Sequence, residues 1–182
     1  MKKIVWANVF LLLGIILIGA FFRFFSIDWD QGNHLHPDER FLTMVGVAMH
    51  APTSFAQYLD PAASPFNPAN IGYQFYVYGT FPVVANYLLA LTTLATSYTD
   101  FTLQGRIVSG FLDLFLILLV FKTLRIFEQA YKFAPSIKYW GAFFYAISVL
   151  PIQLSHFFTV DTFLNFFLFT AFYLALKFAF ER

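Results

Sequence analysis

Cysteine is absent from the 182 residues, which excludes a disulfide framework and any thiolate metal site and leaves the redox compartment open. Charge is scarce as well. Asp, Glu, Lys and Arg make up 12% of the chain, against about a quarter in soluble domains. No basic stripe is present that would neutralise a nucleic-acid backbone, so nucleic acid is excluded as a partner. No fixed-period repeat occurs, and no low-complexity tract beyond a bias to Phe. What fills the chain instead is apolar: 59% hydrophobic residues, 22% aromatics and 27 Phe, with a mean hydropathy of +0.67. That balance predicts an all-α polytopic membrane bundle with rings at its interfaces and membrane lipid as its solvent.

Four runs predict crossings, at about 4–25, 106–121, 139–158 and 163–180. The first is broken only by Asn8 and Arg23, and at about 1.5 Å per residue it is long enough for a hydrocarbon layer of about 30 Å. No small-x-small cleavage site follows Phe25, so the run is expected to stay as an anchor rather than leave as a signal peptide. Lys2 and Lys3 before it then lie in the cytoplasm. A run from Phe75 to Ala95 is also long enough to span, but residues 96–105 after it hold no Lys or Arg. Lys122, Arg125, Lys132 and Lys138 follow the next run. The positive-inside rule therefore predicts that Phe75–Ala95 is juxtamembrane or re-entrant, and that residues 26–105 form one long outer loop. A kink is expected at Pro151, and Asp161 is expected on the same outer side as Asp38. The chain stops at Glu181 and Arg182 directly after an apolar run, as expected of the N-terminal part of a larger protein forming one membrane module over 1–182. The implied location is the plasma or inner membrane, multi-pass.

The outer loop carries HLHPDER, His34 to Arg40, the densest ionisable cluster in the chain. Pro37 suits the first position of a helix, and Asp38 and Glu39 suit its first turn. Phe41, Leu42, Val45, Val47, Ala48 and Met49 supply an apolar face, so 37–50 is expected to be a surface helix lying on the membrane, followed by a loop over 51–72. Adjacent on a helix, Asp38 and Glu39 diverge by about 100 degrees: one can act as a base while the other supports it, pairing with Arg40 or a His. His34, His36 and Asp38 would share one side of an extended segment, a weak candidate set for a divalent metal. Asp113, inside its crossing, needs a partner, either Arg106 or Arg23. Either arginine could instead hold a lipid phosphate. Asp161 and His156 share a predicted outer helix end, where Asp161 is a functional candidate or a helix cap.

The anchor, HPDER in the first outer loop, FYVYGTFP, RIVSGFLDLFLILLVF and LPIQLSHFFTVDTF together resemble the start of a GT-C superfamily glycosyltransferase of the family-39 type, which includes protein O-mannosyltransferases and the aminoarabinose transferases of lipid A. The resemblance spans nearly the whole chain. It implies a polyprenyl-phosphate sugar donor, an acceptor hydroxyl of unknown identity, and an inverting transfer on the outer face. It also implies a catalytic carboxylate in the first outer loop. Asp38 matches that carboxylate, with Glu39 beside it, and Asp161 matches a second acid at a later outer turn. Tyr78–Pro82 resembles the segment that borders the donor site, although Gly79 and Thr80 stand where some relatives have a Lys. His36, Arg40, Tyr78, Arg106 and His156 are the candidates for substrate contact around these acids. The family continues for several more crossings.

Two other classes fit the same residues. A transporter or channel segment would string Asp38, Asp113 and Asp161 into an ion path and would make Phe75–Ala95 a crossing. A non-catalytic scaffold binding polyprenyl lipid would make Asp38 dispensable.

Overall fold

The computed structural model describes residues 2–180, with side chains described from Asn8 onward. The expectations placed on Lys2, Lys3, Glu181 and Arg182 fall on side chains outside that set. Among the described residues the chain is helical, with no strand. Eight α-helices follow in order: α1 Lys2–Phe24, α2 Pro37–Ala48, α3 Phe55–Leu59, α4 Thr80–Thr93, α5 Tyr98–Tyr131, α6 Ile137–Ala146, α7 Val149–Ser155 and α8 Val160–Phe180. A 3-10 turn covers Pro68–Ile71. The helix α3 and this turn replace the featureless loop expected over 51–72. Ser54 caps α3 and Asn67 caps the turn, each accepting a backbone N–H through its side-chain oxygen, so the Ser, Asn and Pro content that signals a loop here also starts short helices.

Among the described residues, two helices, α5 and α8, are long and apolar enough to cross a membrane. The predicted run 106–121 is thus only the middle of α5, which begins at Tyr98 and carries Lys122 and Arg125 on its last turns rather than on a loop. The 14 residues of α4 rise about 21 Å, short of a hydrocarbon layer of about 30 Å. It stops at Leu94, whose φ is 60°.

The residues group into two compact units. An apolar unit takes the described residues of 1–27, 109–156 and 161–182, and a loop unit takes 28–108 and 157–160.

The apolar unit has its core at Ile15, Ile117, Ala142 and Ala146, with Leu114, Phe121, Tyr139 and Phe143 packed against it. Gly19 lies close against that core: a Cβ there would overlap the end of the Ile117 side chain and touch Ala146. The expected crossing 139–158 is two helices, interrupted at Ile147–Ser148 rather than at Pro151. The cause is still Pro151. Its ring excludes the carbonyl four residues earlier and it lacks the N–H to bond it, so the interruption falls at Ile147 while Pro151 sits in the first turn of α7, where no donor is needed.

The Ala146 carbonyl, beside this interruption, is taken up by a buried arginine. Arg23 donates from Nη1 to Ala146 O at 2.9 Å and to Gly19 O at 3.1 Å, and lies beside Tyr145 O at 3.5 Å from Nη2. Its Nε donates to Asp113 Oδ2 at 2.6 Å, and Tyr145 Oη donates to Asp113 Oδ1 at 2.6 Å. Of the two partners expected for Asp113, the structure selects Arg23. Breaking one member of such a pair leaves the other charge buried, at a cost of about 3–5 kcal/mol, whereas replacing both with apolar groups is often neutral. Arg23→Met is therefore expected to lower the melting temperature in detergent sharply, and adding Asp113→Leu to recover only the part due to the stranded carboxylate, because the Ala146 carbonyl and the Tyr145 hydroxyl still lose their partners. A single variant that melts like the parent would contradict this account of the core.

Candidate active site

The loop unit is organised by Arg106, on the part of α5 that belongs to it. Its Nε donates to Glu39 Oε1 at 2.8 Å and its Nη2 to Glu39 Oε2 at 2.6 Å, a two-pronged grip that matches the planar guanidinium to the carboxylate. The other edge of the guanidinium reaches Asp30, Nη1 to Oδ1 at 3.0 Å and Nη2 to Oδ2 at 2.8 Å. The Trp29 ring centre lies 5.4 Å from the guanidinium carbon. All three charged side chains are at most 1% exposed. Glu39 Oε1 also accepts from Phe158 N at 2.7 Å, and Asp30 Oδ2 from Leu35 N at 3.2 Å. Phe158 itself packs directly on Gly105, where a Cβ would overlap its ring.

Several expectations change here. The sequence offers Arg106 to Asp113, to a lipid phosphate or to substrate contact; the structure encloses it between Asp30 and Glu39, with 1% of its side chain exposed. Glu39 was expected to act with Asp38, or to pair with Arg40 or a His. It has no exposed surface, and both its oxygens are engaged, so it holds α2 in place rather than facing a substrate. Asp30 and Trp29 were not singled out from sequence. The one signal was the number of acids before HPDER against the few cations of the loop.

One residue earlier on α2, about 100 degrees round the helix, Asp38 is half-buried and accepts a hydrogen bond from Tyr78 Oη at 2.7 Å. The irregular segment 73–79 lays Tyr73, Tyr76 and Tyr78 against Phe41 of α2, with ring centres 5.9, 6.0 and 6.1 Å from its own. Tyr73 Oη donates to Met44 O and Tyr76 Oη to Gly79 O. Burial, followed by the neighbouring Tyr78, pushes the Tyr76 phenol up to about 12, so it stays protonated as a donor. Phe75 and Val77, the alternate residues, face outward. Asp38 is thus a carboxylate fixed by one phenol at the rim of an aromatic wall. That suits a group accepting a proton from a bound hydroxyl.

The histidines sit differently from the expected H-x-H-x-D ladder. His34 has a φ of 50°, so the segment is not extended there. The His34 ring meets Tyr98 edge-on at 4.4 Å, with Nε2 3.3 Å from Thr99 Oγ1. His36 is the N-cap of α2, its Nδ1 accepting from Glu39 N at 3.3 Å, and its ring lies 4.3 Å from Phe157. Among the described residues, no group of three His, Asp or Glu side chains is placed to hold a metal ion. The Arg40 side chain is exposed, and its carbonyl accepts from Tyr98 Oη at 2.7 Å. In the apolar unit, both ring nitrogens of His156 lie against backbone carbonyls, Ile152 O at 2.8 Å and Phe25 O at 3.0 Å. Asp161 is exposed in the first turn of α8, where the helix dipole favours an anion.

No family model, no curated protein and no solved structure matches the chain.

Burial pushes the Asp30 carboxyl up, but the hydrogen bonds and charge of Arg106 and the Leu35 N–H outweigh it and hold Asp30 at about 2, below its ordinary 3.8. A depressed folded value gives stability that is complete above pH about 4 and is lost as pH falls towards 2. Acid unfolding followed between pH 5 and 2 is expected to show this loss in the parent chain. In Asp30→Asn, already destabilised at neutral pH, that part of the slope is expected to disappear. An unchanged acid slope in the variant would show that Asp30 does not carry it.

Proposed function

We propose that the chain is the N-terminal part of a membrane glycosyltransferase that moves a sugar from a polyprenyl phosphate to an acceptor hydroxyl, with Asp38 as the general base. The observation that supports this most is the division of labour between adjacent acids. Glu39 is consumed by Arg106 and Phe158, while Asp38 remains half-buried, with Tyr78 fixing one oxygen. A polyprenyl phosphate leaves without protonation help, so the reaction chiefly needs a base for the acceptor and cations for the departing charge. Asp38 would take the acceptor proton as the acceptor oxygen bonds to the anomeric carbon. The phosphate would depart from the opposite side with its electron pair, inverting the centre.

The membrane placement belongs to the same proposal. The first helix, α5, the interrupted pair α6 and α7, and α8 make a multi-pass bundle in the cell membrane. Interrupted helices are tolerated in bilayers when their freed carbonyls are satisfied within the protein, as Arg23 does here. The basic residues Lys122, Arg125, Lys132 and Lys138 then lie in the cytoplasm, and α2 to α4 lie as juxtamembrane helices on the outer face.

Because the chain has no native cysteine, single-cysteine variants report topology without background. Asp100→Cys is expected to react with a membrane-impermeant maleimide in intact cells, and Ser136→Cys only after the membrane is opened. Labelling of Ser136→Cys from outside would overturn the placement. For activity, Asp38→Asn in the full-length protein is expected to abolish transfer from polyprenyl-phosphate-linked mannose or aminoarabinose at normal expression. Tyr78→Phe, which removes one hydrogen bond to a charged group worth about 1.5–3 kcal/mol, is expected to reduce it by at least about tenfold. Transfer by Asp38→Asn at the parent rate would refute the assignment and favour a scaffold.

A further inference from the structure

In the apolar unit, residues 8–15 of α1, the end of α5 and the start of α6 line two open pockets. The larger, of about 560 Å³, has Val9, Leu12 and Phe121 on its apolar side and Arg125, Glu128 and Lys138 on its polar side. The second, of about 370 Å³, is lined by Leu11, Ile15, Trp140 and Phe143. Tyr139 lines both. Each volume lies within the range of about 300–1,000 Å³ typical of ligand pockets.

The charges in the larger cavity do not cancel. Lys138 Nζ lies 2.7 Å from Glu128 Oε2 and 5.5 Å from the Tyr139 ring centre, so that pair is neutral. Arg125 is exposed and has no ion-pair partner among the described residues, which leaves one net positive charge facing the cavity. Guanidinium is the cation best matched to phosphate oxygens. Lys122, also exposed, lies outside the lining of this cavity. A singly positive chamber sharing a wall with an almost wholly apolar one is complementary to an amphiphile with one negative charge on its head.

We propose that these cavities bind an anionic glycerophospholipid, its phosphodiester at Arg125 and Lys138 and an acyl chain against Tyr139, Trp140 and Phe143. This rests on the membrane placement proposed above but not on the transferase reading. Loss of the lipid site would leave Asp38-dependent transfer as it is, and loss of transfer would leave the lipid site standing.

Native mass spectrometry of the full chain in detergent, titrated with phosphatidylglycerol or phosphatidylcholine, tests it. One phosphatidylglycerol is expected to bind at least about tenfold more tightly than phosphatidylcholine and to resist millimolar inorganic phosphate. Arg125→Gln, at an exposed position that the fold does not need, is expected to weaken it about tenfold, and Lys122→Gln, outside the cavity, to leave it unchanged. Glu128→Gln, which releases Lys138 towards the phosphate, is expected to strengthen it. Equal binding of the two lipids, displacement by inorganic phosphate, equal losses in Arg125→Gln and Lys122→Gln, or weaker binding by Glu128→Gln would each overturn the proposal.

Discussion

A fully enclosed arginine, Arg106, held between Asp30 and Glu39, is the interaction on which the loop unit depends. The three groups carry one positive and two negative charges with almost no exposed surface. Such an arrangement survives only when every oxygen and N–H has a partner. The Leu35 and Phe158 backbone N–H groups supply the remaining donors. The residues that satisfy this cluster come from the loop before α2, from α2, from α5 and from the segment 157–160. Satisfying the charges therefore also fixes the entry to α2 and the direction in which Asp38 points.

The apolar unit solves a related problem with the same residue type. Arg23 binds Asp113 and the Ala146 carbonyl at the break between α6 and α7, so a cation supplies a donor at a helix end. In both units a buried guanidinium does what hydrophobic packing cannot, by satisfying fixed polar atoms in apolar surroundings. Around Asp38 the partner is a phenol: Tyr78, packed with Tyr73 and Tyr76 on Phe41, donates to the carboxylate.

Much of the helical architecture was legible in the sequence, because the apolar runs are long and the Pro37, Asp38, Glu39 start of α2 has a distinct local signature. The limits lay where tertiary contacts decide. The start of α5 at Tyr98 was hidden because Ser97 to Gly105 is polar and reads as a loop, although its polar side chains are bonded within the unit: Gln104 to Asn86, and Thr102 to Thr43. The interruption at Ile147 follows from Pro151, but only when the proline is traced to the carbonyl four residues back. At the site, Asp38 and Tyr78 were both visible as candidates, whereas the partners of Arg106 were not. Asp30 and Glu39 are separated from Arg106 by more than sixty positions, and charge complementarity over that distance has no sequence period. The left-handed backbone at His34 was equally invisible, and it removes the metal-binding geometry that alternation had suggested.

The adjacent acids of α2 divide between interior and surface, Glu39 buried against Arg106 and Asp38 half-buried with one oxygen on Tyr78. Thermal unfolding of Glu39→Gln and Asp38→Asn in the same detergent tests this division most directly. Glu39→Gln is expected to melt many degrees below the parent chain, because Arg106 loses a buried charge partner, and Asp38→Asn, whose amide oxygen can still accept from Tyr78 Oη, only a few degrees below it. The reverse order, or two variants equally destabilised, would contradict the account.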